Sequence, residues 1–253
     1  RTPKFFYGYS NNDCLLHRIS VQSGIVSQLP SQSSLFLYGP SPCAQLGSTV
    51  WLIGGYHASN GNAGVQDVIA MDVMREFSVL KKPSMLQKRF HAGAIFHCNY
   101  LYAVGGFDGD DLSDCERFDL KTCQWEAIAP LPRACAGMSL IHLEGCHAIF
   151  AIGGYDGDYL TIVQRFELVS LTWDVLPLEF PFTRTYPSCF KVDESQVFFI
   201  NYCQLYVLDP AVCSLRFVKS LSAYSSYEGA CCYMEGRLYF ASSEFNAFVY
   251  DIG

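Results

Sequence analysis

The stretch Tyr102-Ala103-Val104-Gly105-Gly106-Phe107 decides how the chain reads: a short apolar run enters a glycine doublet, and an aromatic follows. The pattern returns as Trp51-Leu52-Ile53-Gly54-Gly55-Tyr56 and as Phe150-Ala151-Ile152-Gly153-Gly154-Tyr155. Its second glycines are 51 and 48 residues apart. Marks on either side keep step. Gly106 precedes Trp125 by 19 residues, and Gly154 precedes Trp173 by the same 19. Between them Arg117-Phe118-Asp119-Leu120 and Arg165-Phe166-Glu167-Leu168 fall in register. Upstream, Arg89-Phe90-His91-Ala92-Gly93 aligns with Arg133-Ala134-Cys135-Ala136-Gly137, and Arg184-Thr185-Tyr186-Pro187-Ser188 is a weaker third.

This register exposes degenerate copies. Phe6-Tyr7-Gly8-Tyr9 keeps one glycine and the aromatic, and Phe199-Ile200-Asn201-Tyr202 keeps the apolar run and the tyrosine. Leu238-Tyr239-Phe240-Ala241-Ser242-Ser243 puts serines where glycines stood. Marks at 8, 55, 106, 154, about 202 and 243 make six copies. Each copy reads as four short strands without helical periodicity. In the third these are Ala92–Cys98, Tyr100–Gly105, Ser113–Asp119 and Gln124–Ile128. Asp108-Gly109 and Asp156-Gly157 supply turn chemistry, while Ala129-Pro130-Leu131-Pro132 stops a strand.

Four-stranded units every 40 to 50 residues predict an all-β, six-bladed β-propeller with four-stranded antiparallel blades. The expectation is one domain over 1–253, with blades at about 1–38, 39–87, 88–131, 132–181, 182–224 and 225–253. Gly54, Gly55, Gly105, Gly106, Gly153 and Gly154 are expected to be structural, letting neighbouring backbones approach. Trp125 and Trp173 are expected to wedge between blades.

Composition narrows the class. Half of the 253 residues are apolar and 16% are charged, which suits a folded core rather than disorder. A net charge of −7 argues against binding a nucleic-acid backbone. No apolar run approaches the roughly 20 residues a membrane-spanning helix needs. The 12 cysteines lack any C-x-x-C and sit mostly in apolar runs, such as Ala230-Cys231-Cys232-Tyr233. No N-x-S/T acceptor occurs either. Both features suggest free thiols in a reducing, cytoplasmic compartment, with nuclear or cytoskeleton-associated locations as variants.

The doublet, aromatic, Asp-Gly turn and spaced tryptophan resemble the kelch repeat, closely at about residues 83–181 and more loosely elsewhere. In detail the chain looks most like the propellers of kelch-like proteins, where BTB and BACK domains precede the ring. Neither is present here. The resemblance implies a non-enzymatic recognition module, as in an adaptor of a cullin-based ubiquitin ligase. A cytoskeletal or assembly scaffold is the alternative, and oligomerisation is expected through regions outside the chain. Kelch-type enzymes, copper-radical oxidases or sugar mutarotases, are a remote third.

In kelch-like propellers the partner site forms on one face, from the loop after each doublet and the loop entering each inner strand. Carried across, the first loops supply Tyr9, Tyr56, Phe107, Tyr155 and Tyr202, with His57 beside an inserted stretch. The second supply Arg89, Arg133, Arg184 and Ser225. Aromatics and arginines often carry binding energy, and arginines suit an acidic or phosphorylated peptide. A structural role stays open for each: the aromatics packing on the next blade, the arginines bonding loop carbonyls. Asp108, Asp110, Asp111, Asp156 and Asp158 give the face a mixed sign without the spacing of a calcium loop. No catalytic residue, metal site or cofactor is expected. The six histidines form no H-x-H pair, and no G-x-S-x-G elbow or phosphate loop occurs.

Length adds one expectation. Six copies at the best-preserved step need about 288 residues. The chain opens on the second strand of copy one and stops in the third of copy six, so the first and last blades are expected to be incomplete. Either the full protein continues past Gly253, the favoured expectation, or the ring keeps an open seam with unpaired strand edges.

Overall fold

Leu101, Tyr102, Ala103 and Val104 are all buried, so the run before the doublet is covered on both faces. It forms one strand of a sheet packed between two others. The computed structural model describes residues 5–10, 15–20, 26–28, 43–56, 63–72, 75, 78–179, 188–191, 193, 196–201, 204–209, 212–220, 231–234, 237–241 and 247–251.

All described strands belong to antiparallel meanders taken in chain order. The first is three-stranded: β1 (Phe5–Ser10), β2 (Leu15–Ser20) and β3 (Val26–Gln28). Four four-stranded sheets follow. One holds β4 (Cys43–Leu46), β5 (Thr49–Ile53), β6 (Val68–Asp72) and β7 (Ser78–Lys82). The next holds β8 (Gly93–His97), β9 (Tyr100–Val104), β10 (Cys115–Asp119) and β11 (Gln124–Ile128). The third holds β12 (Ser139–Leu143), β13 (Ala148–Ile152), β14 (Ile162–Glu167) and β15 (Thr172–Glu179). The fourth holds β16 (Ser188–Lys191), β17 (Val197–Asn201), β18 (Gln204–Asp209) and β19 (Ser214–Ser220). A last three-stranded sheet holds β20 (Cys231–Met234), β21 (Arg237–Ala241) and β22 (Ala247–Asp251).

The first strands of successive sheets are neighbours: β4 with β8, β8 with β12, β12 with β16, and β16 with β20. Sheets that meet at their first strands radiate from a common axis, and the chain is an all-β propeller with four-stranded antiparallel blades. Burial follows the radius. The second strand β13 is buried throughout, whereas the outer strand β11 buries Trp125 and leaves its flanks exposed.

The core lies between blades. Trp51, Ile53, Val68 and Ala70 of one sheet share a cluster with Leu101, Ala103, Phe118 and Trp125 of the next. The following gap is filled by Tyr102, Val104 and Cys115 against Ile149, Ala151 and Phe166, and a third joins Phe150, Ile152 and Val163 to Val197, Phe199 and Leu208. Within a blade, Phe118 stands opposite Trp125 on the neighbouring strand, with rings 5.3 Å apart. Phe166 and Trp173 repeat the pair at 5.0 Å. Trp125 Nε1 also donates to Pro83 O of the segment joining β7 to β8, at 2.9 Å. The indole thus touches the preceding blade as well as its own.

Gly105 and Gly106 have φ of 57° and 105°, in the left-handed region that side chains disfavour. The turn carries the chain close under the next linker. A Cβ on Gly105 would lie 2.3 Å from Cys135 O, a backbone atom. Gly106 N donates to that same carbonyl at 2.8 Å. The doublet is therefore the seat for the segment that enters the following blade.

Candidate partner-binding face

Glycine doublets lie at the Gly93 end of β8, because Gly93 pairs with Val104 while His97 pairs with Tyr100. The loops after the doublets and the linkers into inner strands meet on that face. Isolated bridges knit them: Tyr56 with Gly64, Val65 with Arg89, Phe90 with Phe107, and Ala136 with Tyr155.

Tyr56, Phe107 and Tyr155, the described aromatics of the expected ring, are each half-buried. Phe90 bridges two of them, its ring 5.4 Å from Tyr56 and 5.3 Å from Phe107 in edge-on contacts. Tyr155 meets Tyr159 across its own loop at 5.6 Å. These rings pack on one another and still present a partly open edge. His91 adds a fourth ring beside Phe90, and burial holds its imidazole below the usual histidine range.

The arginines divide. Arg89 is 0% exposed. Its Nη1 donates to Gly105 O at 2.6 Å and to Asp114 O at 2.8 Å, and its Nη2 meets Glu116 Oε1 at 2.7 Å. Glu116 also accepts from Leu86 N and Gln87 N, at 2.7 and 3.2 Å. A guanidinium so enclosed does not reach a partner, and this corrects the placement of Arg89 on the binding arc. The bonds to loop carbonyls, the other role left open for it, are the ones it makes.

Arg133 differs. Its side chain is 50% exposed and pairs with Asp156 through Nε at 3.0 Å. The aligned arginines are not equivalent in space. Gly55 N donates to Arg89 O, but Gly106 N donates to Cys135 O. Arg89 lies four positions before the start of β8 and Cys135 four before the start of β12, so Arg133 takes the place of Gln87. Consistently, Gln164 accepts from Arg133 N at 2.9 Å where Glu116 accepts from Gln87 N.

Of the expected site, Tyr56, Phe107, Arg133 and Tyr155 are brought to one face. Tyr9 has its backbone in β1, and its side chain lies outside the described residues, as do His57, Arg184, Tyr202 and Ser225. The aspartates tie the loops together. Asp108 Oδ1 accepts from Gly64 N at 3.0 Å, and Asp111 Oδ2 accepts from Gly157 N at 3.3 Å. Burial pushes the Asp111 carboxyl above its usual range. Asp110 and Asp158 are exposed.

Sequence reasoning missed one group. On the opposite face His97, His142 and Glu144 bring their ligand atoms within 4.8 Å of one another. His97 ends β8, while His142 and Glu144 belong to β12 and the turn after it, so no local motif joins all three.

No curated protein matches the chain. The family model described as "Kelch motif" matches residues 88–132, a span that holds β8 to β11 and so covers one whole blade. With that blade set among others like it around an axis, this is a kelch-repeat domain in a β-propeller arrangement.

Proposed function

We propose that this propeller is a non-catalytic module that recognises another protein through the face carrying the glycine doublets. The observation that carries the reading is the loop cluster itself. Half-buried rings of Tyr56, Phe107 and Tyr155 stand beside the exposed guanidinium of Arg133, on loops fastened to one another by backbone bridges. Aromatic and arginine side chains on a rigid frame are the usual carriers of binding energy. Kelch-repeat propellers are typically non-catalytic scaffolds.

The chemistry of the partner follows from charge. An acidic or phosphorylated segment would meet Arg133 but would also face Asp108, Asp110, Asp111, Asp156 and Asp158. With Arg89 enclosed and matched by Glu116, the described face is acidic, and a segment carrying basic and apolar side chains fits better. The Arg133–Asp156 pair is open to solvent, so parting it to let Asp156 meet a partner cation costs little.

The ring has six blades in this reading, the three-stranded sheets being the first and the sixth. Delivery of a partner to a cullin-based ubiquitin ligase is the role implied by the likeness to kelch-like propellers. A cytoskeletal or assembly scaffold would use the same face. Free thiols at the eight cysteines whose side chains are described suit a cytoplasmic setting. Among the described residues no helix is long and apolar enough to cross a membrane.

The test is affinity capture with the full chain, followed by mass spectrometry. Arg133→Ala with Tyr155→Ala, and separately Asp110→Lys with Asp158→Lys, should each remove the captured partner while leaving the melting temperature nearly unchanged. Lys121→Glu, in the β10–β11 turn, should not. Recovery of a cullin supports the adaptor, and recovery of filament proteins supports the scaffold. Stoichiometric copper in the purified protein would support an enzyme instead.

A further inference from the structure

His97 is the last residue of β8, His142 lies on β12, and Glu144 opens the short 3-10 turn Glu144–Cys146 that links β12 to β13. The two inner strands are adjacent around the axis and bring their hairpin ends together. The imidazole centroids are 4.1 Å apart at 46°, and all three ligand atoms lie within 4.8 Å of one another. Cys98 stands next to His97 in the β8–β9 turn, with Sγ 3.3 Å from His97 Nε2. Its φ of 51° belongs to the tight turn that brings it there. Both histidines are half-buried, while Glu144 and Cys98 are exposed. Solution therefore has access to the cluster.

The donor set is two nitrogens, one carboxylate oxygen and one neighbouring sulfur. This is the mixture that suits zinc, not calcium or magnesium, which require oxygen shells. Ligands of a tetrahedral zinc at about 2.0–2.3 Å lie roughly 3.3–3.6 Å from each other. The His97–Cys98 separation already falls there, and the ligand atoms of His97, His142 and Glu144 need to close by up to about 1.5 Å through side-chain rotation, with Cys98 turning in from beside His97. We propose that His97, His142 and Glu144 bind one zinc ion with Cys98 as the fourth ligand. The ion fastens the third and fourth blades on the face opposite the glycine doublets. This site does not depend on the partner-binding reading.

Chelator-treated full chain, kept reduced with a phosphine, is titrated with zinc against a chromophoric competitor. His97→Gln, His142→Ala, Glu144→Gln and Cys98→Ser are compared with Cys123→Ser, an exposed thiol in a different turn. Wild type should take up one more equivalent than His142→Ala, and each ligand variant should bind at least about tenfold more weakly. Cys123→Ser should match wild type. Zinc should raise the melting temperature of wild type but not of the ligand variants. Cobalt should show the intense visible bands of a tetrahedral site, with a thiolate charge-transfer band that Cys98→Ser removes. Circular dichroism of each variant before titration keeps unfolding from passing as lost binding, and His97→Gln and Glu144→Gln repeat the test should His142→Ala unfold. Equal uptake by wild type and the folded histidine variants overturns the proposal. So does an equal loss in Cys123→Ser.

Discussion

Arg89 and Cys135 stand at the same point of successive blades and reach equivalent carbonyls. Arg89 Nη1 donates to Gly105 O at 2.6 Å, and Cys135 Sγ donates to Gly153 O at 3.1 Å. Their companions change with them: Glu116 holds the linker in one blade, and Gln164 holds it in the next. One blade uses a buried ion pair where the other uses a neutral thiol and amide.

That exchange predicts coupling. Arg89→Cys leaves a buried carboxylate without its cation, and Glu116→Gln leaves a buried guanidinium without its anion. Each should cost about 3–5 kcal/mol. Made together they reproduce the neutral arrangement, and the pair should cost about 1–3 kcal/mol less than the sum. Urea denaturation of the four proteins measures this. Strict additivity would show that the two side chains act separately.

Two glycines with positive φ should respond differently to alanine. Gly105 has a backbone carbonyl in the way, while Gly109, at φ 93°, has nothing within 4 Å of a Cβ. Gly109→Ala should cost about 1–2 kcal/mol for its backbone conformation alone. Gly105→Ala adds the displacement of the linker and should cost about 3 kcal/mol or more. Equal losses in thermal denaturation would mean the clash relaxes freely.

Thiol reactivity should sort by depth. Burial pushes the Cys115 thiol up to about 11 and the Cys135 thiol up to about 12, whereas Cys43, Cys98 and Cys123 are exposed. Since the thiolate is the nucleophile, the native protein at about pH 8 should alkylate at the exposed three and spare the buried two until unfolded. Peptide mapping after iodoacetamide decides this. Modification of Cys135 in folded protein would contradict its enclosure.

Asp111 links stability to pH. Burial raises its carboxyl pKa, the Gly157 amide lowers it, and Asp156 and Asp110 raise it further. A raised carboxyl makes the fold bind the proton better than the unfolded chain does. Its contribution is therefore fully present below the unfolded value of about 3.9 and is lost as pH rises through the folded value. Asp111→Asn should raise the melting temperature at pH 7, by less at pH 4.5. An equal gain at both would point to packing instead of charge.

Much of the blade could be read from the residues. The strands expected in the third copy match β8 to β11 to within two residues at each end, because Asn99, the Asp-Gly turn and the Pro130–Pro132 segment mark where pairing stops. The Arg-Phe pair also had a physical meaning. Phe118 and Phe166 each face a tryptophan, while Arg117 and Arg165 pair with Glu126 and Asp174 across the strand. The linker was harder. Arginine and glycine identity suggested one alignment, but the distance to the inner strand sets the true one, with Gly93 level with Ser139 against Val104 and Ile152. His97 and His142 were hidden for a related reason. They hold adjacent, not equivalent, positions in the repeat, and only the contact between β8 and β12 joins them.

The grip of Glu116 on Leu86 and Gln87 bears on how such a chain could be cut and spliced. The linker before a blade is held by that blade's third strand, and its Arg89 carbonyl rests on the doublet of the blade before. A new terminus between 83 and 92 would sever both attachments at once. A new terminus at the exposed Gly109–Asp110 step would leave them whole. The unit of modular exchange is therefore offset from the sheet, running from one doublet loop to the next.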